Sequence, residues 1–401
     1  MKDYLKREMA MRRHSLRSGF VREVAPRIRT FWSRLPGLVV RMTAGKLTQQ
    51  QLASKDRKIA ALKQELAAAR GDASSPKFRL GSTPVFFVVG HQKSGTTWLM
   101  EMLDAHPEIL CRGEGRPFGR DFRRERNKGR RRGYPPVSLY NAIVSSEDLR
   151  SWIERSVWSK RDNVNEHLKN LTRLAIEYFL IHQLVKTDKS MVGDKTVLLS
   201  PDIIEEIGAI FPDARVIHII RDGRDVAVST MHHIWNQAED QGGTTRATPA
   251  QLAKREAYRE NPQKLLESGE GIFPDGWLGG YATQWSANVG KSAKDGPLSL
   301  GNSYVQLRYE DLLNRPEEEL GRLLEFLGAD ANEWTISRCI SAASFEKLSE
   351  GRKRGEEAAS FYRKGIAGDW KNVFTEQNKQ EFKAAAGDLL IKLGYEENND
   401  W

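Results

Sequence analysis

The run GHQKSGTTWL, Gly90 to Leu99, combines residue types suited to one task, the gripping of a phosphate. Gly90 and Gly95 let the backbone approach an anion closely, Lys93 brings a full positive charge, and Thr96 and Thr97 add hydroxyl donors. A chain that bends sharply between a strand and a helix aims successive N–H groups at phosphate oxygens, with the positive end of the helix behind them. A second run, VIHIIRDGRDVAVS from Val216 to Ser229, reads on its own as a strand, a polar turn and a helix, with Asp222 and Asp225 capping the helix and orienting the arginines. Metal chemistry is not indicated. The two cysteines, Cys111 and Cys339, lie far apart without His or Cys at ligand spacing, which also argues for a reducing compartment.

These residues need a frame, and the surrounding pattern supplies one. Pro84 to Gly90 (PVFFVVG) is dense enough in β-branched and aromatic residues for a strand buried on both faces, and Thr97 to Ala105 continues with helical spacing. Ala214 to Ile220 repeats the unit, followed by the turn Arg221 to Asp225 and a helix from Val226; Ser303 to Leu307 offers a third strand. Alternating strands and helices predict an α/β domain, a parallel sheet flanked by helices. Two polar insertions, Arg116 to Gly133 and Asn236 to Gly276, are expected as long loops.

At this point the sequence resembles the sulfotransferases that use 3′-phosphoadenosine 5′-phosphosulfate. QKSGTTW, Gln92 to Trp98, matches that family's PKSGTTW phosphosulfate loop apart from Gln92. The resemblance implies a P-loop-like fold in which Lys93, Ser94, Gly95, Thr96 and Thr97 hold the 5′-phosphate, Lys93 reaches the bridging oxygen that leaves, and Trp98 lies by the adenine. In the second run Arg221 and Ser229 occupy the family's 3′-phosphate positions, and Ser229 would link that site to Lys93. The run YRKGIAGDWKNVFT, Tyr362 to Thr375, carries the family's RKG as Arg363, Lys364 and Gly365, which closes on the same phosphate. ASFEKL, Ala343 to Leu348, resembles the segment that sets a phenylalanine against the adenine, so Phe345 is the implied stacker, with a plain core role as its alternative. The similarity runs from about Phe78 to Tyr395. The co-substrate it implies requires no metal.

The acceptor side departs from the family's cytosolic branch. Val197, in DKTVLLSP (Asp194 to Pro201), stands where that branch has a catalytic histidine. The segment looks more like the D/E-K-T-P run of the Golgi carbohydrate and bacterial branches, which generally use a glutamate following the first helix; Glu114 stands in the matching place, with Lys195 as a positive neighbour. The other reading of Glu114 is a loop carboxylate paired with Arg112 or Arg116, and His232 and His233 are rival bases. A glycan or glycolipid acceptor is expected.

Composition sets the remaining expectations. The 401 residues carry 63 Lys and Arg against 53 Asp and Glu, a formal charge of +10, which favours anionic partners. Residues 1–76 read as a basic arm, a helix or short coiled coil over Leu47 to Arg70, and a linker, leaving 77–401 as the sulfotransferase domain. Phe20 to Met42 mixes Arg with apolar residues, compatible with peripheral contact to an anionic membrane, although Pro26 and Pro36 break it; docking on the protein itself is the other reading. No stretch of about 18 apolar residues occurs, so a cytoplasmic protein is expected, with homo-oligomers compatible. A P-loop kinase would need a lysine directly after Gly95, where the chain has Thr96. A nucleic-acid-binding protein is suggested by the Arg-rich run Arg116 to Arg132, but that run lacks interleaved aromatics, and no nucleic acid is expected as partner.

Overall fold

The computed structural model describes residues 83–119, 138–159, 161–240 and 247–401. The arm, its coiled-coil segment, the linker and most of the Arg-rich run lie outside the described residues.

The chain enters strand β1 (Val85–Gly90), turns into helix α1 (Thr96–Asp104) and returns as β2 (Ile109–Gly113). Helices α2 (Leu139–Val144), α3 (Glu147–Arg155) and α4 (Val164–Leu184) lead to β3 (Met191–Val197), and α5 (Ile203–Ile210) leads to β4 (Arg215–Ile220). Helices α6 (Gly223–Asp240), α7 (Pro249–Glu260), α8 (Pro262–Glu267) and α9 (Trp277–Leu300) precede β5 (Tyr304–Arg308). The remaining helices are α10 (Tyr309–Asn314), α11 (Pro316–Leu327), α12 (Glu333–Ala342), α13 (Phe345–Leu348) and α14 (Glu376–Lys392).

The five strands form one sheet in the order β2-β3-β1-β4-β5, every neighbouring pair parallel. Side chains alternate across a strand, so Phe86 and Val88 of β1 face one apolar layer with α1, α11 and α12, while Phe87 and Val89 face the other with α5. All four are at most 1% exposed, and burying each contributes about 1.5–3 kcal/mol. A third apolar layer joins α6, α9 and α14 around Trp285. Central β1 sits where the chain's path reverses, β3 on one side and β4 on the other, and such a switch point opens a crevice at the carboxyl ends of the strands.

The expected strands at Pro84 and Ala214 are found one residue shorter, and the third runs from Tyr304 rather than Ser303. Two expectations are corrected. The polar turn RDGRD is mostly the opening of α6: Asp222 accepts the Arg224 N–H at 2.9 Å, and the helix starts at Gly223 instead of Val226. The segment Asn236 to Gly276 is largely helical, because Thr248 and Gln251 form a reciprocal cap and Pro249 fills the first turn of α7.

Candidate functional site

The loop after β1 meets the crevice with left-handed backbone at Lys93 (φ 69°) and Gly95 (φ 92°). At Gly95 only a hydrogen fits, since a Cβ would lie 2.5 Å from the Tyr309 ring. The Ser94 N–H returns to the His91 carbonyl at 3.1 Å, closing the turn, and α1 begins at Thr96. Ser94 is fully buried and its hydroxyl finds no partner among the described residues.

The three motifs converge on one cleft. Lys93, Gly95, Thr96, Thr97 and Trp98 line it from the first, Arg221 and Ser229 from the second, and Arg363, Lys364 and Gly365 from the third, with Phe345 beside them. Arg221 spans the motifs, donating to the Lys93 carbonyl at 3.2 Å and the Ile366 carbonyl at 2.9 Å while stacking over Tyr309 at 4.4 Å. Its Nε is buried without a partner among the described residues. Asp225 reaches across as well, accepting from the N–H groups of Gly368 (2.7 Å) and Trp370 (2.9 Å). Thus Asp222 caps α6, as expected, and Asp225 joins the helix to the third motif.

Trp98 and Phe345 are both buried and form the apolar wall. Trp98 donates its indole N–H to the Ala343 carbonyl at 2.9 Å, and Gly365 (φ 65°) packs so close to Phe345 that a Cβ would sit 2.4 Å from its ring. Three contributors were not found from the sequence. Arg354 lies 5.1 Å from the Trp98 ring and 5.3 Å from that of Phe345 and donates to the Gly365 carbonyl at 2.6 Å. Phe361 carries the Lys93 ammonium 3.9 Å above its ring, and Tyr309 lies under Arg221. The spacing GRKRG did hold two arginines close to RKG, the one signal available for Arg354.

The cleft is strongly cationic. Arg363 pairs with Glu357 at 3.0 Å and with Asp369, and Lys364 pairs with the same carboxylates at 3.0 and 3.1 Å. Lys93, Arg221 and Arg354 add three more charges. Burial, and then Arg221, Arg363 and Lys195, pull the Lys93 ammonium down to about 7. Asp225 lies 3.9 Å from Arg221; five cations against these three carboxylates, with apolar rings on one side, suit a ligand that is polyanionic at one end and aromatic at the other.

Glu114 stands just beyond β2 with φ 64°. Its N–H donates to the Lys195 carbonyl at 2.9 Å, and its half-exposed carboxylate accepts from the buried Lys195 ammonium at 2.7 Å. That bond holds the carboxyl below its ordinary range, with Arg116 and His233 adding to the effect. Its principal partner is therefore Lys195, not Arg112, which pairs with Asp104. The loop is fixed on its far side too: Asp194, pushed up to about 6 by burial, accepts from the Gly115 N–H at 3.2 Å.

The two rival histidines separate. His233 is held down to about 4 by burial and by Lys93, is also influenced by Glu114, and meets the Phe361 ring edge-on at 6.3 Å. His232 packs instead between Trp235 and Tyr258, with Nδ1 3.7 Å from Glu357.

A family model described as "Sulfotransferase domain" matches residues 83–394. The chain is similar to Sulfotransferase 1B1 of Mus musculus, 26% identical over 181 residues, which covers 42% of this chain and 52% of that protein. It is also similar to "Flavonol sulfotransferase-like" of Flaveria bidentis, 28% identical over 200 residues, covering 46% and 57%. The chain thus spans about half the length of these curated relatives. Among solved structures, mouse sulfotransferase SULT7A1 complexed with PAP aligns over 77% of this chain and 84% of that one, at 16% identity and a TM-score of 0.41.

Proposed function

The chain belongs to the sulfotransferase domain family, and from that premise we propose that it moves the sulfuryl group of 3′-phosphoadenosine 5′-phosphosulfate onto a hydroxyl or amine of a carbohydrate or lipid-linked acceptor. The observation that carries the reading is the single cleft in which Lys93, Arg221, Arg363 and Lys364 face the buried rings of Trp98 and Phe345. The loop from Lys93 to Thr97 takes the 5′-phosphate, Arg221, Ser229, Arg363, Lys364 and Gly365 take the 3′-phosphate, and Trp98 and Phe345 hold the adenine.

In the reaction the acceptor oxygen or nitrogen bonds to sulfur while the bond from sulfur to the bridging phosphate oxygen breaks. The electron pair leaves with adenosine 3′,5′-bisphosphate, and the acceptor's proton passes to Glu114. Sulfuryl transfer, like phosphoryl transfer, depends mainly on positioning and charge stabilisation. Lys93 neutralises the departing oxygen, a task worth about 2.7–4 kcal/mol for a preorganised donor. Lys195 keeps Glu114 ionised and hence able to accept a proton. The acceptor class rests on Val197 in place of the cytosolic branch's histidine and on the arginines of the first insertion, Arg116 to Gly133. No helix among the described residues is long and apolar enough to cross a membrane. From the two widely separated cysteines, which suit a reducing compartment, we propose a cytoplasmic protein whose arm meets either its own domain or an anionic membrane face.

Thermal unfolding with two nucleotides tests the donor. Adenosine 3′,5′-bisphosphate raises the melting temperature, by about 2.7 kcal/mol of linkage at a hundredfold excess over Kd, and AMP, which lacks the 3′-phosphate, does so far less. Arg221→Ala and Arg363→Ala each erase the difference. Equal stabilisation of the unaltered protein by both nucleotides overturns the assignment.

A further inference from the structure

Arg224 lies in the RDGRD run yet does not line the cleft. It is 1% exposed, and its guanidinium is enclosed on every side. Asp222 accepts from its Nε and Nη2 at 2.9 and 2.8 Å, while Nη1 sits 2.5 Å from a Glu396 oxygen, an ion pair without a hydrogen-bonding angle. The guanidinium carbon lies over the Trp370 ring at 3.8 Å and over the Trp401 ring at 4.3 Å. The two indoles touch edge to face at 5.6 Å. Trp401 is itself anchored, since its carbonyl accepts from the Lys383 ammonium of α14 at 3.0 Å and that ammonium lies 5.0 Å from its ring.

This stack leads into the cleft. Trp370 belongs to the 3₁₀ turn Asp369–Asn372 and donates its N–H to Asp225, and the residue before it, Asp369, is the carboxylate that grips both Arg363 and Lys364. A buried guanidinium is stable only while paired and covered, and truncating a partner leaves its charge uncompensated. Loss of Trp401 or Glu396 therefore leaves Arg224 still held by Asp222 and Trp370 but with part of its charge uncovered, and the readjustment falls on the turn that carries Trp370 and Asp369.

We infer that Glu396 and Trp401 are positioning residues for the cleft's 3′-phosphate side, acting through Arg224 and Trp370 on Asp369, Arg363 and Lys364. The inference rests on the donor reading above and adds to it a dependence on residues that touch no ligand.

The test is isothermal titration of the full chain with adenosine 3′,5′-bisphosphate and with AMP, in the unaltered protein and in Trp401→Ala, Glu396→Gln and Trp401→Phe. Trp401→Ala and Glu396→Gln should lose roughly tenfold in bisphosphate affinity, with AMP affinity unchanged within about twofold. Trp401→Phe, which keeps a ring over the guanidinium, should retain most of the preference. A lowered melting temperature with an unchanged ratio of the two affinities in both disruptive variants means a merely structural contact and overturns the inference. If the unaltered protein shows no preference for the bisphosphate, the donor reading itself fails, a result separate from the first. Should Trp401→Ala not fold, Glu396→Gln, which leaves the stacked rings in place, decides by the same ratio.

Discussion

Lys93 combines two conditions that oppose each other: it must be charged to hold an anion, yet burial first, and then Arg221, Arg363 and Lys195, push its ammonium down to about 7. A bound polyanion reverses that push and raises the value. Below about pH 7 the amine is charged with or without ligand, so affinity is flat there. Above pH 7 the free protein has lost the proton and binding must take one up, so affinity for adenosine 3′,5′-bisphosphate falls as pH rises. Titration at pH 8 in buffers of different ionisation enthalpy should reveal that uptake, and Lys93→Met should abolish it; no uptake in the unaltered protein would contradict the placement of Lys93 against the phosphates. Glu114 presents the opposite case, a carboxylate held low by Lys195 and thus ionised at neutral pH. Glu114→Gln should keep bisphosphate affinity within a few-fold and lower turnover by roughly 10²–10⁴. His233→Ala should be much milder, and His232→Ala milder still, because that ring is packed against Trp235 and Tyr258. Near-normal turnover in Glu114→Gln with collapse in His233→Ala would move the base to the histidine.

Legibility varied from element to element for physical reasons. β1 and β4 were readable because strands buried on both faces have uninterrupted β-branched and aromatic runs. β2 and β3 (ILCRG and MVGDKTV) were not assigned, since Arg112, Asp194 and Lys195 break the apolar pattern. Those polar residues are tolerated in strands only through tertiary partners, Lys195 with Glu114 and Asp194 with the Gly115 N–H, and such partners are invisible in a linear pattern. The helical stretch after Asn236 was readable and was missed: TPAQ, Thr248 to Gln251, is a capping box with proline at the first position, outweighed in the reading by the polar composition around it. At the site, elementary chemistry pointed to a phosphate at Lys93 to Thr97, whereas the gathering of Arg221, Phe345 and Arg363 into the same cleft rested on the family resemblance, because no local pattern joins Lys93 to Arg221, or Arg221 to the segment that holds Phe345 and Arg363, across more than a hundred residues each. Arg354 and Phe361 escaped both routes, lying in loop that no periodicity marks.

On the scale of the whole chain, charge and catalytic architecture divide. Every residue assigned to the donor and base sites lies between Lys93 and Gly365, inside the stretch 83–394 that the family model matches. Residues 1–76, in contrast, hold 17 of the 63 Lys and Arg but only 6 of the 53 Asp and Glu, so the arm accounts for the positive excess of the chain, +10 in all. Electrostatic attraction to an anionic surface should accordingly reside in the arm, and it should weaken as salt shortens the Debye length from about 10 Å at 0.1 M to about 3 Å at 1 M. A chain starting at Lys77 should therefore keep its preference for adenosine 3′,5′-bisphosphate over AMP while losing salt-sensitive retention on vesicles containing phosphatidylserine, which the full chain should show. Co-sedimentation at low and high salt measures the second property and thermal unfolding the first. Equal retention of both chains would remove the arm as the surface-binding element, and a shortened chain that no longer binds the bisphosphate would make the arm part of the catalytic fold.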